Sequence, residues 1–90
     1  MAEPAAAGEP VRVTVRYYAG ARAAAGVESE PVNAATVADL IGVLASRHGD
    51  RLRRVLDAAT LLVEGQAVRD RALALRQEVT VEVLPPFAGG

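Results

Sequence analysis

Two stretches of the chain alternate strictly between apolar and polar residues. Val11-Arg12-Val13-Thr14-Val15-Arg16-Tyr17-Tyr18 is rich in β-branched residues and predicts a half-buried strand with Val11, Val13, Val15 and Tyr17 facing a core. Val79-Thr80-Val81-Glu82-Val83-Leu84 repeats the pattern, with Val79, Val81 and Val83 on one face. Between them the period changes. Val37, Leu40, Ile41 and Leu44 stand at i, i+3, i+4 and i+7, the spacing of an amphipathic helix. Thr36 can cap its first free N–H groups, and the acidic Asp39 suits both a capping box and the helix dipole. Arg47 and His48 fall in the last turn, and Gly49 is the expected C′ residue. Leu52, Val55 and Leu56 carry the helical spacing on over a further short turn.

The remaining segments carry weaker signals. Ala19 to Gly26 is small and turn-like, with a glycine near each end. It looks like a phosphate loop only superficially, because the Lys-Ser/Thr pair that grips phosphate and magnesium is absent. Val27 to Asn33 predicts a strand that Pro31 confines to a sheet edge or a strand end. Leu61-Leu62-Val63 is a short strand ending in a tight-turn signal, Glu64-Gly65-Gln66, after which Ala67-Val68 returns as a brief partner. Leu73 and Leu75 follow in a loop or single helical turn. The order is β-β-α-β-(β)-β. A right-handed crossover through the helix lets the last strand lie parallel to the first, with the helix across one sheet face. The expected fold class is α+β, a β-grasp with a mixed sheet of four to five strands and one main helix. Residues 11–84 form the domain, 1–10 an expected disordered N-terminal extension, and 85–90 an extended, flexible C-terminal tail.

Composition narrows the chemistry. The chain has 90 residues, 10 of them Arg and none Lys, against 11 acidic residues, for a net charge of −1. That balance argues against nucleic-acid binding, which needs a basic stripe. Cysteine is absent, which excludes a disulfide scaffold, a thiolate metal site and a Cys nucleophile. No run reaches the ~18 apolar residues of a membrane span, and 1–10 lacks the basic start and apolar stretch of a signal peptide. A cytoplasmic protein is expected. His48 is the sole histidine; no Ser or second His stands at a spacing that would make it a catalytic partner, so it reads as a helix-end residue.

The chemistry concentrates after Leu84, where the sequence ends Pro85-Pro86-Phe87-Ala88-Gly89-Gly90. Two prolines lack backbone donors and hold φ near −65°, so the sheet stops and the exit is stiff. Six residues at ~3.3 Å each reach up to ~20 Å. Gly89 and Gly90 have no side chain and can pass through a channel too narrow for other residues, which places the Gly90 α-carboxylate at the tip. Phe87 is the one large apolar anchor on the tail.

With these residues in view, the chain resembles the ubiquitin-like sulfur-carrier family, and within it the molybdopterin synthase small-subunit branch. The resemblance rests on Val13 to Arg22 with Gly26, on Thr36-Val37-Ala38-Asp39-Leu40, on Val63-Glu64-Gly65, and on Glu78 to Val81 running into the Gly-Gly end. Tyr18-Ala19 points to the molybdopterin branch. The family often has Asn-Gly where Glu64-Gly65 stands and Asp-Gly-Asp where Arg76-Gln77-Glu78 stands, so both turn types stay open.

The resemblance implies that an adenylating, E1-like partner uses ATP and magnesium to activate Gly90, and that a sulfur donor protein converts it to a thiocarboxylate. The large catalytic subunit of molybdopterin synthase would then take the sulfur into a pterin precursor. The chain itself would bind no cofactor or metal and act as a sulfur-donating subunit without catalytic side chains. Gly89, Ala88, Phe87, Pro86, Pro85 and Leu84 would fill the partner's channel and interface. The alternatives are a sulfur carrier for thiazole or cysteine synthesis, a ubiquitin-like protein modifier, or a β-grasp interaction module whose tail is never activated.

Overall fold

The computed structural model describes residues 9–86. In chain order the elements are β1 (Val11–Tyr17), α1 (Ala19–Ala25), β2 (Ser29–Ala34), α2 (Val37–His48), α3 (Asp50–Ala58), β3 (Thr60–Val63), β4 (Gln66–Val68) and β5 (Thr80–Leu84). They form one five-stranded mixed sheet in the order β2-β1-β5-β3-β4. β1 and β5 run parallel at its centre, and the other pairings are antiparallel. The fold is the expected α+β β-grasp.

The period-two faces meet the helices as the spacing requires. Val13, Val15 and Tyr17 of β1, Val32 of β2, Leu61 of β3, and Val81 and Val83 of β5 are buried against Val37, Leu40, Ile41 and Leu44 of α2. Leu52 and Leu56 of α3 and Leu75 of the loop before β5 complete that core. Pro31 lies on β2, an edge strand, where its missing donor costs no ladder bond.

Two expectations are corrected. The stretch from Ala19 to Gly26 is not a turn: Ala19–Ala25 is a helix, ended by Gly26, whose N–H donates to the Arg22 carbonyl. Consecutive alanines favour helix, and only two small residues one turn apart, Ala21 and Ala25, are buried, so no apolar period of large residues announces it. The turn around Leu52 to Leu56 is likewise a separate nine-residue helix, α3. Gly49 separates it from α2 with φ 93° and ψ −174°, a backbone state that favours glycine. Three helices therefore pack on the sheet, with α2 the longest.

The start of α2 satisfies its free N–H groups completely enough to fix its position. Asp39 N–H donates to Thr36 Oγ1 (3.1 Å), and Ala35 N–H donates to Asp39 Oδ2 (2.8 Å). Val37 and Ala38 donate to the carbonyls of Leu73 and Arg71 in the loop before β5. The α2 C-terminus is tied to β2 through Glu30, which projects inward from this edge strand with a side chain only 13% exposed. It accepts from Tyr17 Oη (2.5 Å) and Arg47 Nη1 (3.0 Å), and its Oε2 lies 2.6 Å from His48 Nε2. Burial pushes the Glu30 carboxyl up, but the bonds from Tyr17, His48 and Arg47 together hold it below its ordinary value. Burial and then the bond to Glu30 push the Tyr17 hydroxyl well above its usual range.

The hairpin turn left open at Glu64-Gly65 is also resolved. Val63 pairs with Gln66 across a two-residue loop in which both Glu64 (φ 52°) and Gly65 (φ 83°) are left-handed, the I′ hairpin geometry. Glu78 is left-handed as well, at φ 67°. A Glu at the first I′ position is strained where Asn is tolerated. Glu64→Asn is predicted to stabilise the domain by about 0.5–1 kcal/mol in thermal unfolding, because the exposed Arg76–Glu64 ion pair it removes contributes little.

A second prediction concerns Glu30. Its folded carboxyl binds a proton less readily than the unfolded one, so its contribution is complete above a pH of about 4.5 and is lost as pH falls through the folded value. Glu30→Gln should cost roughly 1–3 kcal/mol at neutral pH. The penalty in Tm should shrink on acidification below that window. A penalty independent of pH would show that the ionised carboxylate is not what stabilises the junction.

Candidate functional site

The position of the C-terminal exit follows from β5 being central. Its inward residues Val81 and Val83 are fully buried, and its last antiparallel partner pairing is Thr60 with Leu84. On the other side the parallel pairing ends with Tyr17 opposite Val83, and Tyr18 N–H donates to the Val83 carbonyl at 3.3 Å. Pro85 and Pro86 then supply no N–H, and the ladder stops. The chain leaves the sheet from its middle.

An open groove of about 980 Å³ borders this exit. One wall is the outer face of α3, where Arg51, Arg54, Val55 and Ala58 fall at helical spacing opposite the buried Leu52 and Leu56. The other is Leu84, Pro85 and Pro86, and the start of α1 closes one side at Tyr18, Ala19 and Gly20. Ala19 turns the chain from β1 into α1 with φ 48°, an uncommon state for a non-glycine residue. The lining is mostly apolar with two guanidinium groups, and among the described residues neither Arg51 nor Arg54 has an ion-pair partner. Beside the exit, Tyr18 Oη donates to Glu82 Oε2 at 2.8 Å; that bond, then burial, raises the phenol above its ordinary value.

Of the residues singled out in the sequence, Leu84 and Pro85 are half-buried at the groove and Pro86 is exposed there. Phe87, Ala88, Gly89 and Gly90 lie outside the described residues, as does most of the expected N-terminal extension. His48 ends α2 and serves the Glu30 junction, away from the groove lining. Among the described residues no group of three His, Asp or Glu is placed to hold a metal ion, and no helix is long and apolar enough to cross a membrane. Sequence reasoning missed the α3 wall. The signal was present in Asp50-Arg51-Leu52-Arg53-Arg54-Val55-Leu56-Asp57-Ala58, whose second face is basic and apolar at once.

A family model, the ThiS family, matches residues 15–90. The chain belongs to the ThiS family. The matched stretch includes both walls of the groove and runs through the Gly-Gly end. Among solved structures, a Pyrococcus furiosus protein provisionally described as molybdopterin converting factor, subunit 1, is 30% identical with a TM-score of 0.75, over 86% of this chain and 99% of that one. The solution structure of small archaeal modifier protein 1 from Methanosarcina acetivorans has a TM-score of 0.81 at 23% identity, over 92% and 100%. Subunits 1 and 2 of molybdopterin-converting factor from Helicobacter pylori 26695 form a protein–protein complex, and the match there has a TM-score of 0.70 at 19% identity, over 89% and 100%. The last two show the fold alone. No curated protein matches the chain. This ThiS-family chain is thus a ubiquitin-like β-grasp protein of the sulfur-carrier family.

Proposed function

We propose that this chain is a carrier whose reactive group is the Gly90 α-carboxylate. The observation that carries this reading is a family match continuing through Gly89-Gly90, on a domain whose core closes at Val83 before the tail begins. A carboxylate is a poor acyl donor. An oxygen of the Gly90 carboxylate attacks the α-phosphorus of ATP on an activating partner, pyrophosphate leaves, and the acyl-adenylate forms. Sulfide from a sulfur donor then attacks the acyl carbon, AMP leaves with the C–O bond's electrons, and loss of the sulfur-bound proton gives the terminal thiocarboxylate. The domain supplies the acyl group and the surface that presents it, and the partners supply ATP, magnesium and catalytic side chains.

The client is the finer question. Transfer of sulfur into a pterin precursor, with a large synthase subunit, is favoured by the 30% identity to the Pyrococcus furiosus protein and by Tyr18-Ala19. The ThiS family model and the fold shared with an archaeal modifier favour the broader reading more strongly. We therefore place sulfur delivery to another acceptor, or attachment of Gly90 to a protein amine, ahead of the molybdopterin assignment. Incubation of the thiocarboxylate with a pterin precursor and a large synthase subunit, or with candidate acceptor proteins, separates them by product.

Incubation with ATP, a sulfide source and the activating enzyme should shift the intact mass by one oxygen-to-sulfur exchange. Deleting Gly90 should abolish the shift and leave Tm nearly unchanged, since the core is complete without it. Full conversion of the deletion variant would overturn the carrier reading.

Gly89→Val adds a β-branched side chain where a narrow channel must admit the tail. A folded protein with activation reduced at least about tenfold is expected, equivalent to ~1.4 kcal/mol of lost transition-state binding. Wild-type activation rates would show that no such constriction exists.

A further inference from the structure

The outer stripe of α3 has a direction. Arg51, Arg54, Val55 and Ala58 fall at i, i+3, i+4 and i+7, so one ridge carries two cations at its start and two apolar side chains at its end. Thr60 pairs with Leu84, so the apolar end stands beside Leu84 and Pro85 at the exit. The cationic end lies about 10 Å back along the helix, at 1.5 Å per residue. We propose that this groove is the docking site for a short amphipathic segment of the activating partner, apolar where it meets Ala58 and Leu84 and acidic where it meets Arg51 and Arg54. The inference deepens the proposed function and rests on its reading of Gly90 as the group that partner adenylates.

Charge selects the occupant. The whole chain has a net charge of −1, yet Arg51, Arg53 and Arg54 crowd the exposed side of α3. Arg51 and Arg54 rim the groove, and among the described residues neither has an ion-pair partner. The acidic residues of the same helix, Asp50 and Asp57, do not line it. An apolar floor under two uncompensated cations is complementary to a segment that buries apolar side chains and brings carboxylates to the rim. The wall also leaves room for one. Gly20 belongs to it, and a Cβ built there would meet nothing within 4 Å, so no packing within the described domain requires glycine at this place. Beside it Ala19 is held at φ 48°, and strained backbone of this kind clusters at binding and switch surfaces.

Activation is the step that most needs such a grip. The Gly90 carboxylate is a weak nucleophile and must approach ATP anion toward anion, so the carrier has to stay bound while the step occurs. Gly89 and Gly90 offer no side chain by which to hold it. Affinity must therefore come from the domain, and the groove supplies it from side chains that take no part in the bond changes. Arg51 and Arg54 act as positioning residues for the encounter. The contact is partly ionic at an exposed rim, so salt weakens it.

The test uses the full chain and measures carrier-dependent exchange of pyrophosphate into ATP by the activating enzyme. Arg54→Glu and R51A/R54A should each raise the KM for the carrier at least about tenfold with kcat nearly unchanged, the mark of lost docking rather than lost chemistry. Arg53→Glu makes the same charge change on α3 outside the groove and should move KM by less than about twofold. Gly20→Leu fills the wall without touching an arginine. It should raise KM about tenfold while Tm stays at or above the wild-type value, since leucine favours helix over glycine. Added salt should raise the wild-type KM and narrow its gap to R51A/R54A. Equal KM values for Arg54→Glu and Arg53→Glu, or an unchanged KM for Gly20→Leu, overturn the proposal. So does a loss confined to the later sulfur transfer, which would make the groove an acceptor's surface, and so does a dimer that R51A/R54A dissociates, which would make the occupant a second copy. Amide spectra recorded as the enzyme is titrated keep the two ideas apart. Normal activation with no change at Val55 and Ala58 removes the docking inference alone. Changes there that R51A/R54A abolishes, without adenylation of Gly90, remove the carrier reading alone, and an enzyme that produces neither overturns both.

Discussion

The parallel pairing of β1 with β5 is the constraint on which the rest of the molecule depends. Parallel neighbours cannot be joined by a hairpin, so the chain between them must cross a sheet face, and α2 and α3 lie on that crossover. The pairing also puts the last strand in the middle of the sheet, between β1 and β3. The tail consequently leaves between Tyr18 and Thr60, and the helix that ends just before Thr60 becomes its neighbour. A last strand at an edge would have released the same six residues beside open backbone, with no α3 wall.

Polar contacts set how the crossover sits. The apolar faces of α2 and the sheet would tolerate some sliding, since burial is non-directional. The caps at Thr36 and Asp39, with the bonds to the Leu73 and Arg71 carbonyls, fix one end of α2, and Glu30 fixes the other by collecting Tyr17, Arg47 and His48. Glu30 has a second consequence. An inward charge on β2, with Pro31 next to it, makes this exposed edge a poor template for another strand, while β4 guards the opposite edge by being only three residues long.

What was legible in the sequence divides along the same physical line. Strands with β-branched residues at period two, and the α2 stripe of Val37, Leu40, Ile41 and Leu44, carry large residues whose spacing reveals the buried face directly. Helix α1 hides because alanine buries little and so leaves no period to read. Helix α3 was visible only as a short turn, since two leucines are its whole core face and the rest of it is charged. The tail motif could be read because it is local. The groove could not: Tyr18, Val55 and Leu84 come from three distant parts of the chain, each unremarkable alone, and only the β1–β5 pairing brings them together.

Partner choice on the proposed function must then be written around the exit rather than on the tail. A six-residue tail ending in Gly-Gly offers an adenylating enzyme and a sulfur acceptor nearly the same few atoms, and Gly89 and Gly90 carry no side chain with which to discriminate. Discrimination needs differences in area, charge and shape. The surfaces next to the exit differ sharply in those respects. On one side stands a hydrogen-bonded pair, Tyr18 with the acidic Glu82; on the other, an apolar trough under two arginines. A partner that reads the first meets a rigid polar surface set by the central strands. A partner that reads the second must cover apolar surface and bring acidic groups to the two arginines. One fold can therefore serve different acceptors while the reactive end stays the same, because the residues that flank the exit are distinct from the glycines that leave it.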